Sequence, residues 1–219
     1  MIMKKGFTLI EMLVVIGILA VLIGASLGGY SAMTKTADRA RCQELVSNVA
    51  TALTALYQNE GVWPRVIREN GASDGKLDNI VSYAFVSGTR KYFSLTKSDG
   101  KLGGHDRFGI ISPWAAQVVK KLGSGASLTS KVGSFTVDDH ILQYAVDLDG
   151  DGIILDASVG GKSVNVRATA IVWCCGKDGV LEPYPYGEGS SGGKGSSAVS
   201  GSRCDDVYSW TPAQTRNVQ

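Results

Sequence analysis

Glu11 is the one ionisable side chain between residues 7 and 29. A carboxylate there, in a membrane helix, costs about 2.5–3.5 kcal/mol on insertion scales and usually serves a function. Its chemistry calls for a cationic partner. A second group of acids, Asp147, Asp149 and Asp151, alternates along Asp147-Leu148-Asp149-Gly150-Asp151-Gly152. Carboxylates at alternate positions with glycine sixth match the front of a calcium loop, whose hard oxygen donors suit Ca2+. The back departs from it, because Ser158 stands where a bidentate glutamate would close the loop. Two readings therefore stand together, a Ca2+ site and a plain Asp-Gly turn. The cysteines, Cys42, Cys174, Cys175 and Cys204, show no zinc spacing. Cys174 and Cys175 end an extended run and point to opposite faces, so one of them, Cys175 or Cys174, is expected to bridge to Cys204. His105 and His140 each adjoin an acid. Neither has a nucleophile at recognisable spacing, and no catalytic residue is assigned.

The element that must position Glu11 is FTLIEMLVVIGILAVLIGASLGG, residues 7–29. As a helix it is about 35 Å long, enough for a bilayer core of about 30 Å. It is too long for the apolar region of a secretory signal, and the helical pattern continues beyond it. Ala20, Gly24, Gly28 and Ala32 recur every four residues, a stripe of small side chains on which helices could approach closely. Gly28-Gly29 costs the helix about 2 kcal/mol relative to Ala-Ala. Farther on, Cys42, Leu45, Val46, Val49, Leu53, Leu56 and Tyr57 keep the period of an amphipathic helix. Cys42 on that stripe reads as a buried free thiol. Gly61 and Pro64 stop the helix near Asn59 or Glu60.

The remaining composition describes a folded head. Apolar residues make up 44% and charged residues 19% of the 219, with five prolines, which excludes a disordered or collagen-like chain. A formal charge of +2 with no basic run gives no reason to expect nucleic acid as a partner. Residues 61–137 read as a variable region of loops and short helices. Within it Ser112-Pro113-Trp114 looks like an N-cap with proline in the first helical position, and that helix should stop at Gly123. From residue 138 onward, HILQYAVDL and VNVRATAIVW read as an antiparallel pair. A Gly/Ser-rich loop, with six of each residue in 187–202, follows.

Lys4-Lys5-Gly6-Phe7-Thr8-Leu9-Ile10-Glu11 resembles the processing site of type IV pilins and type II secretion pseudopilins. ADRARCQELVSNVATALTALYQNEGVWP is similar to the amphipathic helix half of major pseudopilins. The resemblance implies an α+β fold: a long N-terminal helix, with a transmembrane half at 7–29 and an amphipathic half at 30–60, packed on a small antiparallel β-sheet head at 138–219. It implies that prepilin peptidase cuts the leader 1–6 between Gly6 and Phe7 and methylates the new amine, and that Glu11 pairs with that amine on a neighbouring subunit. Lys177-Asp178-Gly179 and Asp205-Asp206-Val207-Tyr208-Ser209-Trp210 look like the two ends of the calcium-binding loop of major pseudopilins. Asp178, Asp205 and Asp206 thereby become the first candidate Ca2+ ligands, ahead of the Asp147 group. The expected function is that of a major pseudopilin, a structural subunit and no enzyme, in the periplasmic filament of a type II secretion system; the alternative is a type IV pilin or minor pilin. Expected partners are further copies of the chain in a helical filament, minor pseudopilins, the prepilin peptidase and an assembly ATPase with its platform. The expected location is the inner membrane, crossed once, with the head in the periplasm.

Overall fold

The computed structural model describes residues 9–71, 74–86, 92, 104–105, 107–177, 179–181 and 206–215. The chain divides into two units, Met1–Asp38 and Arg39–Gln219. Helical hydrogen bonding runs through both as α1, Leu9–Glu60. In the first unit, residues 9–24 are exposed on every face of the helix. In the second, the expected stripe becomes core: Cys42, Leu45, Val46, Val49, Leu53 and Leu56 are all buried. The helix ends where glycine permits it to. Gly61 takes a left-handed φ of +72°, and its N–H caps the Tyr57 carbonyl at 2.8 Å. Trp63 then folds back to stack on Tyr57, with ring centroids 4.7 Å apart, while its indole N–H donates to the Asp147 carbonyl.

The middle of the chain supplies short helices, as expected. They are α2 (Arg65–Asn70), α3 (Asn79–Val86) and α4 (Pro113–Leu122), the first two separated by the short strand β1 (Gly75–Lys76). Ser112 caps α4, its hydroxyl accepting the Ala115 N–H, and Pro113 fills the first helical position. Two small hairpins flank α4: β2 (Gly104–His105) with β3 (Gly109–Ile110), and β4 (Lys131–Val132) with β5 (Phe135–Thr136). Gly109 has φ +92°, and a side chain there would run into the Leu77 carbonyl and the Asp78 backbone.

The head sheet is antiparallel, in the order β1, β6 (Gln143–Val146), β9 (Ala170–Cys174), β10 (Val207–Tyr208). A separate hairpin, β7 (Ile154–Val159) with β8 (Lys162–Val166), is inserted between β6 and β9. A short helix, α5 (Pro212–Thr215), closes the described chain. The expected pair is therefore half right. β6 does pair β9, with Gln143 opposite Trp173 and Val146 opposite Ala170. The second run, however, breaks at Arg167, and its first residues belong to β8. A run rich in β-branched residues conceals a strand boundary because both strands favour the same side chains.

The period of two divides the sheet's faces. Tyr144, Val146, Val172, Cys174 and Val207 join the core built on α1, whereas Ala145, Ile171 and Trp173 join a second cluster with the β7–β8 hairpin and Trp210. Both faces are thus covered, which is why all five residues of β9 are buried. The architecture is α+β, an N-terminal helix followed by a small antiparallel sheet.

Candidate functional site

Glu11 lies near the described start of α1. Around it twelve large apolar side chains are exposed, among them Leu9 at 83%, Ile10 at 70% and Val21 at 73%. Covering them would be worth on the order of 10 kcal/mol or more at about 25 cal/mol per Å2. A helix apolar on all faces belongs in lipid or among other helices, not in water. Among the described residues no helix is long and apolar enough to cross a membrane. The expected span 7–29 runs into residues 7–8 and the side chains of 25–29, which lie outside the description, as do Gly6 and Phe7.

One acid of the first candidate ligand set, Asp206, falls within the described residues. Asp178 and Asp205 lie outside the described residues. Asp206 is buried and committed to structure: one oxygen accepts the Gly176 N–H at 2.9 Å and the other the Tyr208 hydroxyl at 3.2 Å. The second group does converge, the donor oxygens of Asp147, Asp149 and Asp151 lying within 4.8 Å of one another. Asp147 is 2% exposed, and its two oxygens accept the N–H groups of Gly150 at 2.7 Å and Gly152 at 2.8 Å. Both glycines have φ of +82°, so the turn is closed by its own backbone and one carboxylate. If this turn takes a hard cation, these three residues hold it.

The cysteines are distributed by environment. Cys42 and Cys174 are sealed in the core as free thiols, the first as expected. Cys175 is also a free thiol, and Cys204 lies outside the described residues. Sequence reasoning missed His140. It is fully buried, with Nδ1 at 3.1 Å from Ser112 Oγ and 3.6 Å from Cys175 Sγ. An isolated bridge between Ile111 and Ile141 makes this contact, and no local spacing could have announced it.

The family model described as the prokaryotic N-terminal methylation motif matches residues 1–27. Over 105 residues, 45% of this chain and 46% of the relative, the chain is 37% identical to the type IV major pilin protein PilE1 of Neisseria gonorrhoeae. It is 32% identical to the fimbrial protein EcpC of Eikenella corrodens over 101 residues, 44% of this chain and 65% of that one. With a fimbrial protein of Neisseria meningitidis serogroup B it shares 37% identity over 62 residues, 28% and 36% of the two chains. The chain spans less than half the length of the first of these relatives. No solved structure matches it. The chain thus carries the prokaryotic N-terminal methylation motif over residues 1–27 and is similar, over part of its length, to type IV pilins and fimbrial proteins.

Proposed function

We propose that the chain is the subunit of a type IV pilus-type filament, serving adhesion, motility or DNA uptake. The observation that carries this reading is a helix apolar on every face around a single carboxylate, Glu11. Such a surface is satisfied twice, first by lipid while the subunit is stored in the inner membrane with its head in the periplasm, then by the same helix of other copies. Cleavage after Gly6 frees the Phe7 amine. In the filament that amine neutralises Glu11 of a neighbour, so two charges disappear together and the axial register between subunits is set. Prepilin peptidase supplies the first step; an assembly ATPase and its platform supply the second.

Relatives named as type IV pilins and fimbrial proteins favour the pilus over the secretion pseudopilus. The pseudopilus remains the second reading because Asp206-Val207-Tyr208-Ser209-Trp210 is similar to the end of the pseudopilin calcium loop. Deleting the chain in its native cell separates them. Loss of sheared surface fibres with normal protein secretion is the expected result. Retained fibres with exoproteins accumulating in the periplasm would overturn the pilus reading.

A further inference from the structure

Charge is distributed unevenly over the head. Between Asp106 and Asp138 the chain carries Arg107, Lys120, Lys121 and Lys131 and no acidic residue. Lys120 and Lys121 occupy the last turn of α4, and Lys131 lies on β4, which packs against α4; all three are exposed. Among the described residues none of the three has an ion-pair partner. The Arg107 guanidinium binds the Ser124 and Ala126 carbonyls just beyond α4. The neighbouring acids are committed elsewhere, Asp138 to Lys76 at 2.7 Å and Asp139 to the Thr136 N–H and hydroxyl. The dipole of α4 favours two lysines at its end and gives no reason for Lys131. Leu122, next to Lys121, is 48% exposed, and Leu128, three residues before Lys131, is 41% exposed.

Two backbone anchors place this surface at the start of β6. The Ser112 N–H, at the N-cap of α4, donates to the His140 carbonyl at 2.9 Å, and the Asp138 N–H donates to the Leu128 carbonyl at 3.0 Å. The other end of β6 runs into the acidic turn. There Asp149 and Asp151 are exposed, and Leu148 beside them is 46% exposed. Asp149 has no ion-pair partner among the described residues. Val62, which precedes the Trp63 whose indole binds the Asp147 carbonyl, adds a second exposed apolar side chain at this end. Extended chain from Ile141 to Asp147 puts about 20 Å between the two ends.

We propose that the basic surface of α4 and β4 docks on the acidic turn 147–152 of a second copy of this chain. Each surface combines exposed leucine with charge of a single sign, and the two signs are opposite. In such a contact apolar burial supplies the attraction, while the charges at its rim select the partner and fix the register. Asp147 does not meet the partner: it is buried and holds the turn in shape through Gly150 and Gly152. Because the surfaces lie at opposite ends of β6, a copy that docks its basic surface still offers its acidic turn to the next. The contact is heterologous and repeats from copy to copy, as a filament requires. A single exposed ion pair is weak, so the effect comes from repetition at every subunit. The choice of partner rests on the filament reading; the two surfaces do not.

The test uses the full chain in its native cell and reads sheared filaments against total membrane protein. Lys120→Glu/Lys121→Glu/Lys131→Glu makes both surfaces acidic, and Asp149→Lys/Asp151→Lys makes both basic. Either variant alone should accumulate in the membrane as wild type does and lower filament yield about tenfold or more, because like charges then face one another at every contact. Co-expressing the two, or combining both sets in one chain, should restore filaments. A second arm needs no variant: in wild-type filaments built from copies with different isotope labels, carbodiimide should join Lys120, Lys121 or Lys131 of one copy to Asp149 of another through an amide, read by peptide mapping. Wild-type yield from either variant alone, no rescue on combining them, absence of the amide, or lysine variants whose sole defect is lost binding to duplex DNA would each overturn the proposal. A wild-type chain that assembles no filaments would instead overturn the filament reading, and with it the partner named here.

Discussion

Asp147→Ala should be among the most damaging polar-to-alanine changes in the head. The substitution removes the acceptors of the Gly150 and Gly152 N–H groups and leaves the residue's own backbone contacts, to Trp63 and Thr169, in place. Hydrogen bonds to a charged group contribute about 1.5–3 kcal/mol each, which puts the ceiling for two near 6 kcal/mol. Residues 148–151 are exposed, so water can recover part of the freed donors. The expected loss is about 2–3 kcal/mol. Asp147→Asn keeps one acceptor oxygen and should cost about half of that. Asp149→Ala, at an exposed position, should stay within about 0.5 kcal/mol of wild type. Urea unfolding of the unit Arg39–Gln219, followed by circular dichroism, reads these as midpoint shifts at constant slope. Each variant is measured with chelator and with excess calcium. Asp147→Ala within 0.5 kcal/mol of wild type in chelator, a margin of about the size expected for neutral surface changes, would refute closure of the turn by this carboxylate. If Asp149→Ala instead matched Asp147→Ala, and only with calcium present, an ion and not the backbone would be holding the hairpin.

Four further outcomes are expected. Mass spectrometry of the native protein should find N-methyl-phenylalanine at residue 7, and an intact Met1 would contradict processing at Gly6. Glu11→Ala should insert into membrane normally but yield few sheared filaments, because the carboxylate is costly in lipid and useful only beside another subunit's amine; a normal filament yield would remove the registry role. Leu53→Ala, at a fully buried position on α1, should cost about 2–5 kcal/mol by leaving a cavity between helix and sheet. Asp139 is held below its ordinary value of 3.8, chiefly by the Thr136 N–H. Its stabilising contribution should therefore be complete above the unfolded value and be lost as acid carries the pH down through the depressed folded one, a dependence that Asp139→Asn should remove.

What the sequence disclosed was local. The stripe from Cys42 to Leu56 could be read because one period governs the whole run, and the Gly61 stop because a left-handed cap needs that residue at that place. Ser112-Pro113 announced α4 for the same reason. The β7–β8 hairpin stayed hidden because Val164 to Val166 and Ile171 to Trp173 have the same β-forming character, and only pairing distinguishes them. The Ser112, His140 and Cys175 group joins residues up to 63 positions apart, so periodicity carries no trace of it. The carboxylates divided along the same line: Asp147, Asp149 and Asp151 meet within one turn, while Asp206 satisfies groups on both sides of a long loop.

That loop has a consequence for how the molecule can change over time. Its base is fastened by the pairing of Val207 with Cys174 and by the Asp206 clasp on Gly176, contacts that do not involve the residues between. Doubling the roughly 30 residues between the two strands would cost only about 0.6 kcal/mol in closure entropy. As far as closure entropy is concerned, the connection can therefore lengthen with little effect on the pairing of Val207 with Cys174.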